Sequence, residues 1–151
     1  YELHKESVNL SEYLEEGMRQ TIQIFNPTQK VLLDIQPNIS FNIDKTSFPS
    51  ILLNLFENAV KYSPEDSEIK ISLKKQGNGI ILSLSDEGVG VPEEEKQNIF
   101  RKFYRVGDEE TRKTKGTGLG LYIVKYLVEK HEGTIAVKNN IPTGSMFEIT
   151  F

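Results

Sequence analysis

The sequence predicts an α+β fold, in which helices cover one face of an antiparallel or mixed β-sheet to make a two-layer α/β sandwich. Three segments place apolar residues at helical spacing, one shorter segment carries helix-start signals, and about six or seven segments alternate as strands do. Several predicted strands follow one another directly, which favours a sheet with its helices on one side. A chain of 151 residues with 37% hydrophobic content can bury a real core, so residues 1–151 are expected to form one domain.

The first half of the chain supplies two helices and two short strands. Residues 1–10 are expected to lead in as an extended segment, and Ser11 is the expected N-cap of the first helix. Asp44 is expected to cap a long second helix that ends at Tyr62. The first helix has its apolar face at Leu14, Met18, Ile22 and Phe25 and ends at Asn26-Pro27, and the two strands are expected at 30–35 and 40–43.

The second half supplies the remaining strands, a short helix and a third long helix. Pro92 followed by three glutamates is typical of a helix start, and this short helix is expected to end near 100–104. Gly133 is a stop signal after the third helix. The strands are expected at 69–73, 80–86, 135–137 and 147–151, and the inward stripe of the third helix at Gly120, Ile123, Val124, Leu127 and Val128.

Composition argues against several functional classes. The net charge of −4 argues against a nucleic-acid partner, and without cysteine the chain has neither disulfides nor thiolate metal sites. No run approaches the roughly 20 apolar residues of a membrane span, so the chain is not expected to insert into a membrane. Because it begins abruptly at Tyr1, we expect it to be a piece of a longer protein. Residues 101–115 concentrate six basic and three acidic side chains, which suits the binding of an anion.

The second helix carries an unusual polar line. Most of its circumference is apolar, yet Asn54, Asn58 and Lys61 fall on one line, with Glu57 beside them. Burying such groups without partners costs about 1–3 kcal/mol for each neutral group alone. The line therefore faces either bulk water, which is the commoner case for an asparagine pair alone, or a cavity that holds a charged ligand.

Asp86 and the residues after it form a second polar feature. Alternation puts Asp86 on the same face of its strand as the apolar residues, so its carboxylate points toward the core unless it ends the strand in an exposed turn. Gly88 and Gly90 follow, and glycine permits close approach of the backbone to another group.

A glycine-rich turn opens the third helix. The N–H groups and positive dipole end of a helix that follows such a turn suit a phosphate, although the turn can also be a simple tight connection. Gly116, Gly118 and Gly120 match neither a Walker loop nor a dinucleotide fingerprint, because no Gly-Lys-Ser/Thr closes the turn and no strand precedes it. The basic residues upstream, including Arg105 and Lys115, would close over an anion held there.

A purine nucleotide would satisfy the three features together. Asp86 would accept a hydrogen bond from an exocyclic amino group, the glycine turn would hold the phosphates, and Asn58 would give an oxygen to Mg²⁺.

Four motifs in this order resemble the N box, first glycine box, F box and second glycine box of the catalytic and ATP-binding domain of bacterial sensor histidine kinases. The resemblance covers the chain from about residue 10 to residue 151. The four motifs are Asn54-Leu-Phe-Glu-Asn58-Ala-Val-Lys61-Tyr62, Asp86-Glu-Gly88-Val-Gly90, Ile99-Phe100-Arg-Lys-Phe103-Tyr-Arg105 and Gly116-Thr-Gly118-Leu-Gly120-Leu.

The resemblance implies a Bergerat ATP-binding fold, with a mixed five-stranded sheet under three helices and a flexible ATP lid at residues 106–115. It implies that Asn58 coordinates Mg²⁺, that Asp86 binds the adenine amino group, and that Asn58, Lys61 and Arg105 are catalytic. The other residues that would bind ATP or ADP are Asn54, Lys61, Tyr62, Gly88, Gly90, Lys115, Gly116, Thr117, Gly118, Leu119, Gly120 and Leu121, while Phe100 and Phe103 would anchor the lid or simply pack in the core.

Asn54 distinguishes this chain from related ATPases. In those proteins, the position four residues before the metal-binding asparagine is a glutamate, and that glutamate activates water. This chain has Asn54 at that position. An amide is not a general base, so transfer of the γ-phosphoryl group to an external nucleophile is favoured over hydrolysis. Glu57 lies at a different angle on the helix and receives no catalytic role. An ATPase or serine-directed kinase on the same fold, and a nucleotide-sensing module without catalysis, are the alternatives.

Neither histidine fits the motif of a phospho-acceptor. The residues after His4 and His131 lack the His-Glu-x-x-x-Pro-like pattern, so both histidines are expected to be structural. The dimerisation domain that bears the acceptor histidine is therefore expected to be absent from this chain and to act as its partner, with a response regulator receiver domain acting indirectly. The chain is expected to be a monomeric, cytoplasmic part of a parent kinase anchored in the inner membrane.

Overall fold

The computed structural model describes residues 2–104 and 119–151, and the structural statements below concern those residues. The lid predicted at 106–115 lies outside them. The elements are β1 (Glu6–Asn9), α1 (Leu10–Phe25), β2 (Lys30–Ile35), β3 (Ser40–Ile43), α2 (Phe48–Tyr62), β4 (Glu68–Gln76), β5 (Gly79–Ser85), α3 (Gly120–Lys130), β6 (Thr134–Asn139) and β7 (Ser145–Thr150), with short 3₁₀ turns at Glu93–Glu95 and Asn98–Phe100.

Five of the strands form one mixed sheet in the order β2-β4-β5-β7-β6. The pairing of β2 with β4 is parallel, and the other pairings are antiparallel. The register brings one row of apolar residues into line across the whole sheet, and that row consists of Leu33, Ile71, Leu84, Phe147 and Val137. A separate pair, β1 with β3, brings the leading segment against the loop before α2.

The three helices lie on the apolar face of the five-stranded sheet. α2 contributes the most to the core, because Phe48, Ile51, Leu55, Phe56 and Ala59 are at most 1% exposed. The predicted inward residues Leu14 and Met18 of α1, and Val124, Leu127 and Val128 of α3, are also buried. The predicted two-layer α+β sandwich with a mixed five-stranded sheet is confirmed. In the described ranges, no helix is both long enough and apolar enough to cross a bilayer.

The predicted cap of α1 is wrong, and the predicted cap of α2 lies one turn before the helix. Asn9 caps α1, because its Oδ1 accepts a hydrogen bond from the Glu12 amide at 3.1 Å. The Ser11 hydroxyl is used elsewhere: it donates to the Gln36 carbonyl at 2.6 Å and accepts from the Ile39 amide at 2.9 Å. Asp44 caps the turn that leads into α2, because its Oδ1 accepts from the Thr46 amide at 2.8 Å and from the Ser47 amide at 3.3 Å. The N-cap position of the helix itself is Ser47, whose side chain makes no cap hydrogen bond.

Two other predictions need correction. The short helix after Pro92 is replaced by the two 3₁₀ turns, because its first turns are polar and only Ile99 and Phe100 are buried. A longer helix would need an apolar stripe to pack against the domain. Ile123, predicted to face inward, is 36% exposed because it lies at the margin of the buried stripe of α3.

Candidate functional site

Asn54 and Asn58, in the polar line of α2, are half-buried, and Asn54 lies against the beginning of α3. The Asn54 side-chain amide donates to the Ser50 carbonyl at 2.7 Å, which fixes its orientation. A side chain at Gly120 would place its Cβ 3.2 Å from Asn54 Oδ1, so the two positions are in close contact. The first amide groups of a helix have no partner within it, and here they begin next to Asn54.

Lys61 pairs with Glu57 at the other end of the line. The Lys61 ammonium lies 3.2 Å from a Glu57 carboxylate oxygen, and both side chains are more than a third exposed. An exposed pair one helical turn apart is worth roughly 0.3–0.5 kcal/mol, so it gives way easily to a stronger anion. Asn58 lies between Asn54 and Lys61 and is half-buried.

The C-terminal end of α2 packs against the turn that follows Asp86. A side chain at Gly88 would place its Cβ 2.6 Å from the Tyr62 carbonyl oxygen and 3.0 Å from Asp86 Oδ1. Real Cβ contacts are longer than this, so only glycine fits between the helix end and the carboxylate. Tyr62 itself is 45% exposed.

Asp86 is 4% exposed, and its carboxylate points inward as strand alternation predicts. Its Oδ1 accepts from the Gly88 amide at 2.9 Å and from the Ser145 amide at 3.4 Å. Burial raises the pKa of this carboxyl, and the two backbone hydrogen bonds partly oppose that effect. Within the described part of the chain both contacts fall on Oδ1, so Oδ2 is available to accept from a ligand.

The two ends of the site are separated along α2. Asn54 meets the start of α3, and Tyr62, eight residues later, meets the Gly88 turn. At 1.5 Å of rise per residue the two contacts are about 12 Å apart. Among the described residues, the predicted positions along α2 therefore run from the beginning of α3 at one end to the turn beside the buried Asp86 at the other.

Some predicted residues can be placed and others cannot. Leu119 is the N-cap of α3, Gly120 begins the helix, and Leu121 packs on the core. Phe100 is buried edge-on against Phe147, at 6.1 Å between ring centroids. Phe103 is 65% exposed. The predicted residues Arg105, Lys115, Gly116, Thr117 and Gly118 lie outside the described residues.

The loop between β6 and β7 holds contacts that sequence reasoning missed. Asn140 donates to the Asp86 carbonyl and Thr143 donates to the Gly88 carbonyl. The sequence Pro142-Thr143-Gly144 predicted a turn there, but nothing in the sequence linked that turn to Asp86.

Both histidines lie where their sequence context predicted, His131 at the C-terminus of α3 and His4 exposed in the leading segment. His131 is 3% exposed and caps the C-terminus of α3. Its Nδ1–H donates to the Leu127 carbonyl at 2.8 Å, and its Nε2 accepts from the Asp44 amide at 3.2 Å. His4 is exposed, and its backbone amide donates to the Asp44 carboxylate.

Comparison with known proteins identifies the family. The family model described as histidine kinase-, DNA gyrase B-, and HSP90-like ATPase matches residues 43–151. The chain is 41% identical over 106 residues to the sensor protein CiaH of Streptococcus pneumoniae, an alignment that covers 70% of this chain and 24% of CiaH. The chain therefore belongs to the histidine kinase-, DNA gyrase B- and HSP90-like ATPase family.

Solved structures define the type of domain within that family. The fold matches the catalytic domain of the histidine kinase ThkA with a TM-score of 0.81 at 26% identity, over 99% of this chain and 97% of that one. It also matches full-length ShkA in complex with AMPPNP, with a TM-score of 0.78 at 25% identity, over 99% of this chain and 31% of that one. The chain is thus a catalytic domain of the histidine kinase type, and it spans 24% to 33% of the length of the curated relatives it matches.

Proposed function

We propose that this domain binds Mg-ATP and transfers its γ-phosphoryl group to a histidine on a separate dimerisation domain. The observation that carries the proposal is the buried Asp86 carboxylate at one end of α2, joined by the polar line to the N-terminus of α3 at the other. An acceptor for a base amino group and a cradle for phosphates about 12 Å apart suit an extended nucleoside triphosphate.

The proposed orientation puts adenine at the Asp86 end. Asp86 accepts from the adenine amino group, with Gly88 and Gly90 beneath the ring, and Tyr62 borders the ribose. Asn54, Lys61 and the start of α3 line the phosphates, with Gly116 to Gly118, Lys115 and Arg105 contributing from outside the described residues. The AMPPNP complex of ShkA, a protein of the same fold, supports a nucleotide at this site.

Asn58 is the proposed Mg²⁺ residue. The described residues contain no cluster of three or more histidine, aspartate or glutamate side chains that would hold a metal by themselves. A carboxamide oxygen beside a triphosphate fits Mg²⁺, which takes one or two protein ligands where phosphates supply others. Bound there, Mg²⁺ would neutralise charge on the phosphate oxygens.

The chain's own residues favour transfer over hydrolysis. Asn54 holds its amide on the Ser50 carbonyl, and an amide does not take a proton from water at neutral pH. In the proposed step a histidine nitrogen forms a bond to the γ-phosphorus, the bond from that phosphorus to the β–γ bridging oxygen breaks, and ADP leaves. Lys61, released from Glu57, and Arg105 would stabilise the phosphoryl oxygens.

The proposal extends to a larger protein. Residues 1–151 would form a single catalytic domain with residues 1–10 leading in and residues 106–115 as its lid. The acceptor histidine would belong to the dimerisation domain of the same parent kinase, which would pass the phosphoryl group to a response regulator. The parent would be anchored in the inner membrane with this domain in the cytoplasm.

Nucleotide binding and trans-phosphorylation test the proposal. Calorimetry with Mg²⁺ is expected to show ATP binding, and Asp86→Asn is expected to weaken it about 10- to 100-fold, because a hydrogen bond to a charged group is lost. Turnover by the domain alone is expected to be negligible, whereas the parent's histidine domain, added in trans, is expected to gain an acid-labile phosphoryl group. An acid-stable product, or an Asp86→Asn variant that binds ATP like the wild type, would contradict the proposal.

A further inference from the structure

The loop that joins β6 to β7, residues 140–144, is hydrogen-bonded to the turn that contains Asp86. Asn140 Nδ2 donates to the Asp86 carbonyl oxygen at 2.8 Å, and Thr143 Oγ1 donates to the Gly88 carbonyl oxygen at 3.0 Å. These side chains contact residues 54 and 55 positions earlier in the chain. The contacts are therefore part of the tertiary structure and not of either local turn.

The Asn140 side chain is fixed in orientation. Its Oδ1 accepts from the Ile141 amide at 3.0 Å, which leaves the NH₂ group to face the Asp86 carbonyl. Both polar ends of the carboxamide are thus in use. A change to a group without a donor would leave the Asp86 carbonyl without this partner.

The backbones of the two loops touch directly. A Cβ at Gly144 would overlap the Asp86 carbonyl oxygen, and a Cβ at Gly90 would lie 3.2 Å from the Gly144 carbonyl oxygen. Both glycines have positive φ, 104° and 77° respectively. Because no side chain separates the loops, a displacement of one loop is passed directly to the other.

The Asp86 peptide is held from several directions. Its amide donates to the Ser145 carbonyl at 2.9 Å, its carbonyl accepts from Asn140, and its Oδ1 accepts from Gly88 and Ser145. Thr143 holds the carbonyl of Gly88, whose amide binds the carboxylate. The direction of Oδ2 is therefore set before a ligand arrives.

We propose that Asn140 and Thr143 are positioning residues for base recognition, which act through Asp86 and Gly88 and do not touch the nucleotide. Preorganised acceptors discriminate strongly between a ligand that has the matching donor and one that lacks it. The inference rests on the proposed function. It adds that the β6–β7 loop sets the preference for a purine with a 6-amino group.

The test compares two ligands, ATP and the purine riboside triphosphate that lacks the 6-amino group, by calorimetry with Mg²⁺. The wild-type domain is expected to prefer ATP by about 10-fold or more. Thr143→Val, which keeps the shape and removes the donor, and Asn140→Ala are expected to reduce that preference to about 3-fold or less, mainly through weaker ATP binding. Thr143→Ser, which keeps the hydroxyl, is expected to retain it.

The control is Ile141→Ala, in the same loop. The Ile141 side chain is 89% exposed, so the control is expected to keep the wild-type preference. If Thr143→Val and Asn140→Ala weaken the binding of ATP and of the purine riboside triphosphate equally, or leave the binding of both unchanged, the positioning role is wrong. A wild-type domain that binds neither nucleotide overturns the proposed function and this inference with it. Wild-type ATP binding with an unchanged preference in both variants overturns the inference alone.

Discussion

At the scale of single residues, Asp86 is buried at a cost in folding stability, and its carboxylate points inward. A carboxylate that is 4% exposed loses most of its hydration, and two backbone amides compensate only in part. The raised pKa expresses this imbalance, because the folded state disfavours the charged form. Such a cost is expected at the proposed recognition site, where the same charge would bind a ligand.

Asp86→Asn is expected to stabilise the unliganded domain at pH 7. A carboxyl whose pKa is raised by folding adds stability only below its unfolded pKa, and that stability is lost as the pH rises through the folded pKa. At pH 7 the wild type therefore carries a penalty that the neutral amide avoids. Thermal unfolding should give Asp86→Asn the higher midpoint at pH 7, with the difference shrinking as the pH falls toward about 4.

Asp34→Asn is the matched control, because folding lowers the pKa of Asp34, whereas it raises the pKa of Asp86. The hydrogen bond from Lys74 lowers the pKa of this exposed carboxyl, so its contribution is present at neutral pH and is lost as the pH falls through the folded pKa. Its replacement should lower the midpoint slightly at pH 7 and have no effect in acid. An Asp86→Asn midpoint below that of the wild type at pH 7 would show that burial is not the dominant influence.

At the scale of elements, α2 is the axis of the site because other elements hold it at both ends. Its N-terminal half carries Asn54 against the start of α3, and its C-terminal end packs on Gly88. Gln29, from the loop before β2, donates its amide to the carbonyls of Val60 at 3.1 Å and Ser63 at 2.9 Å. The last carbonyls of a helix lack intrahelical partners, so Gln29 acts as a C-cap supplied by another part of the chain.

Gln29→Ala is expected to destabilise the domain by about 1–3 kcal/mol, because it strips two half-buried carbonyls of their donor. Urea unfolding followed by circular dichroism measures the loss. Gln20→Ala applies the same substitution to an exposed position of α1 and is expected to change stability by less than about 0.5 kcal/mol. Equal losses of stability from the two substitutions would mean that the Gln29 cap does not stabilise the domain.

The elements were largely predictable because their signals are local. The bounds of β2 and β3 and the end of α2 follow from alternation, helical spacing and flanking polar residues, and the same alternation directed Asp86 inward. Ser11 was misassigned because its hydroxyl serves residues 36 and 39, which are distant in sequence. Asn140 and Thr143 were missed for the same reason. No local pattern encodes a partner more than fifty positions away.

At the scale of the whole molecule, His131 connects parts of the chain that the sheet does not join. Its Nε2 accepts from the Asp44 amide just before α2, its Nδ1–H donates within α3, and its ring lies 5.4 Å from that of Phe48 and 6.5 Å from that of Phe151. The Asp44 carboxylate in turn accepts from the His4 amide of the leading segment. The buried imidazole of His131 therefore contacts the start of α2, the end of α3 and the residue that follows β7.

His131→Phe is expected to destabilise the domain by about 1–3 kcal/mol, because an aromatic ring fills the space but removes the Nε2 acceptor of the Asp44 amide, while the Leu127 carbonyl keeps its hydrogen bond from the backbone amide of residue 131. His4→Ala is the control, since only the backbone of that exposed histidine is used, and it is expected to be neutral. Urea unfolding measures both variants. A stable His131→Phe domain would mean that apolar packing, and not the hydrogen bonds of the imidazole, joins α2 to α3 at this end of the molecule.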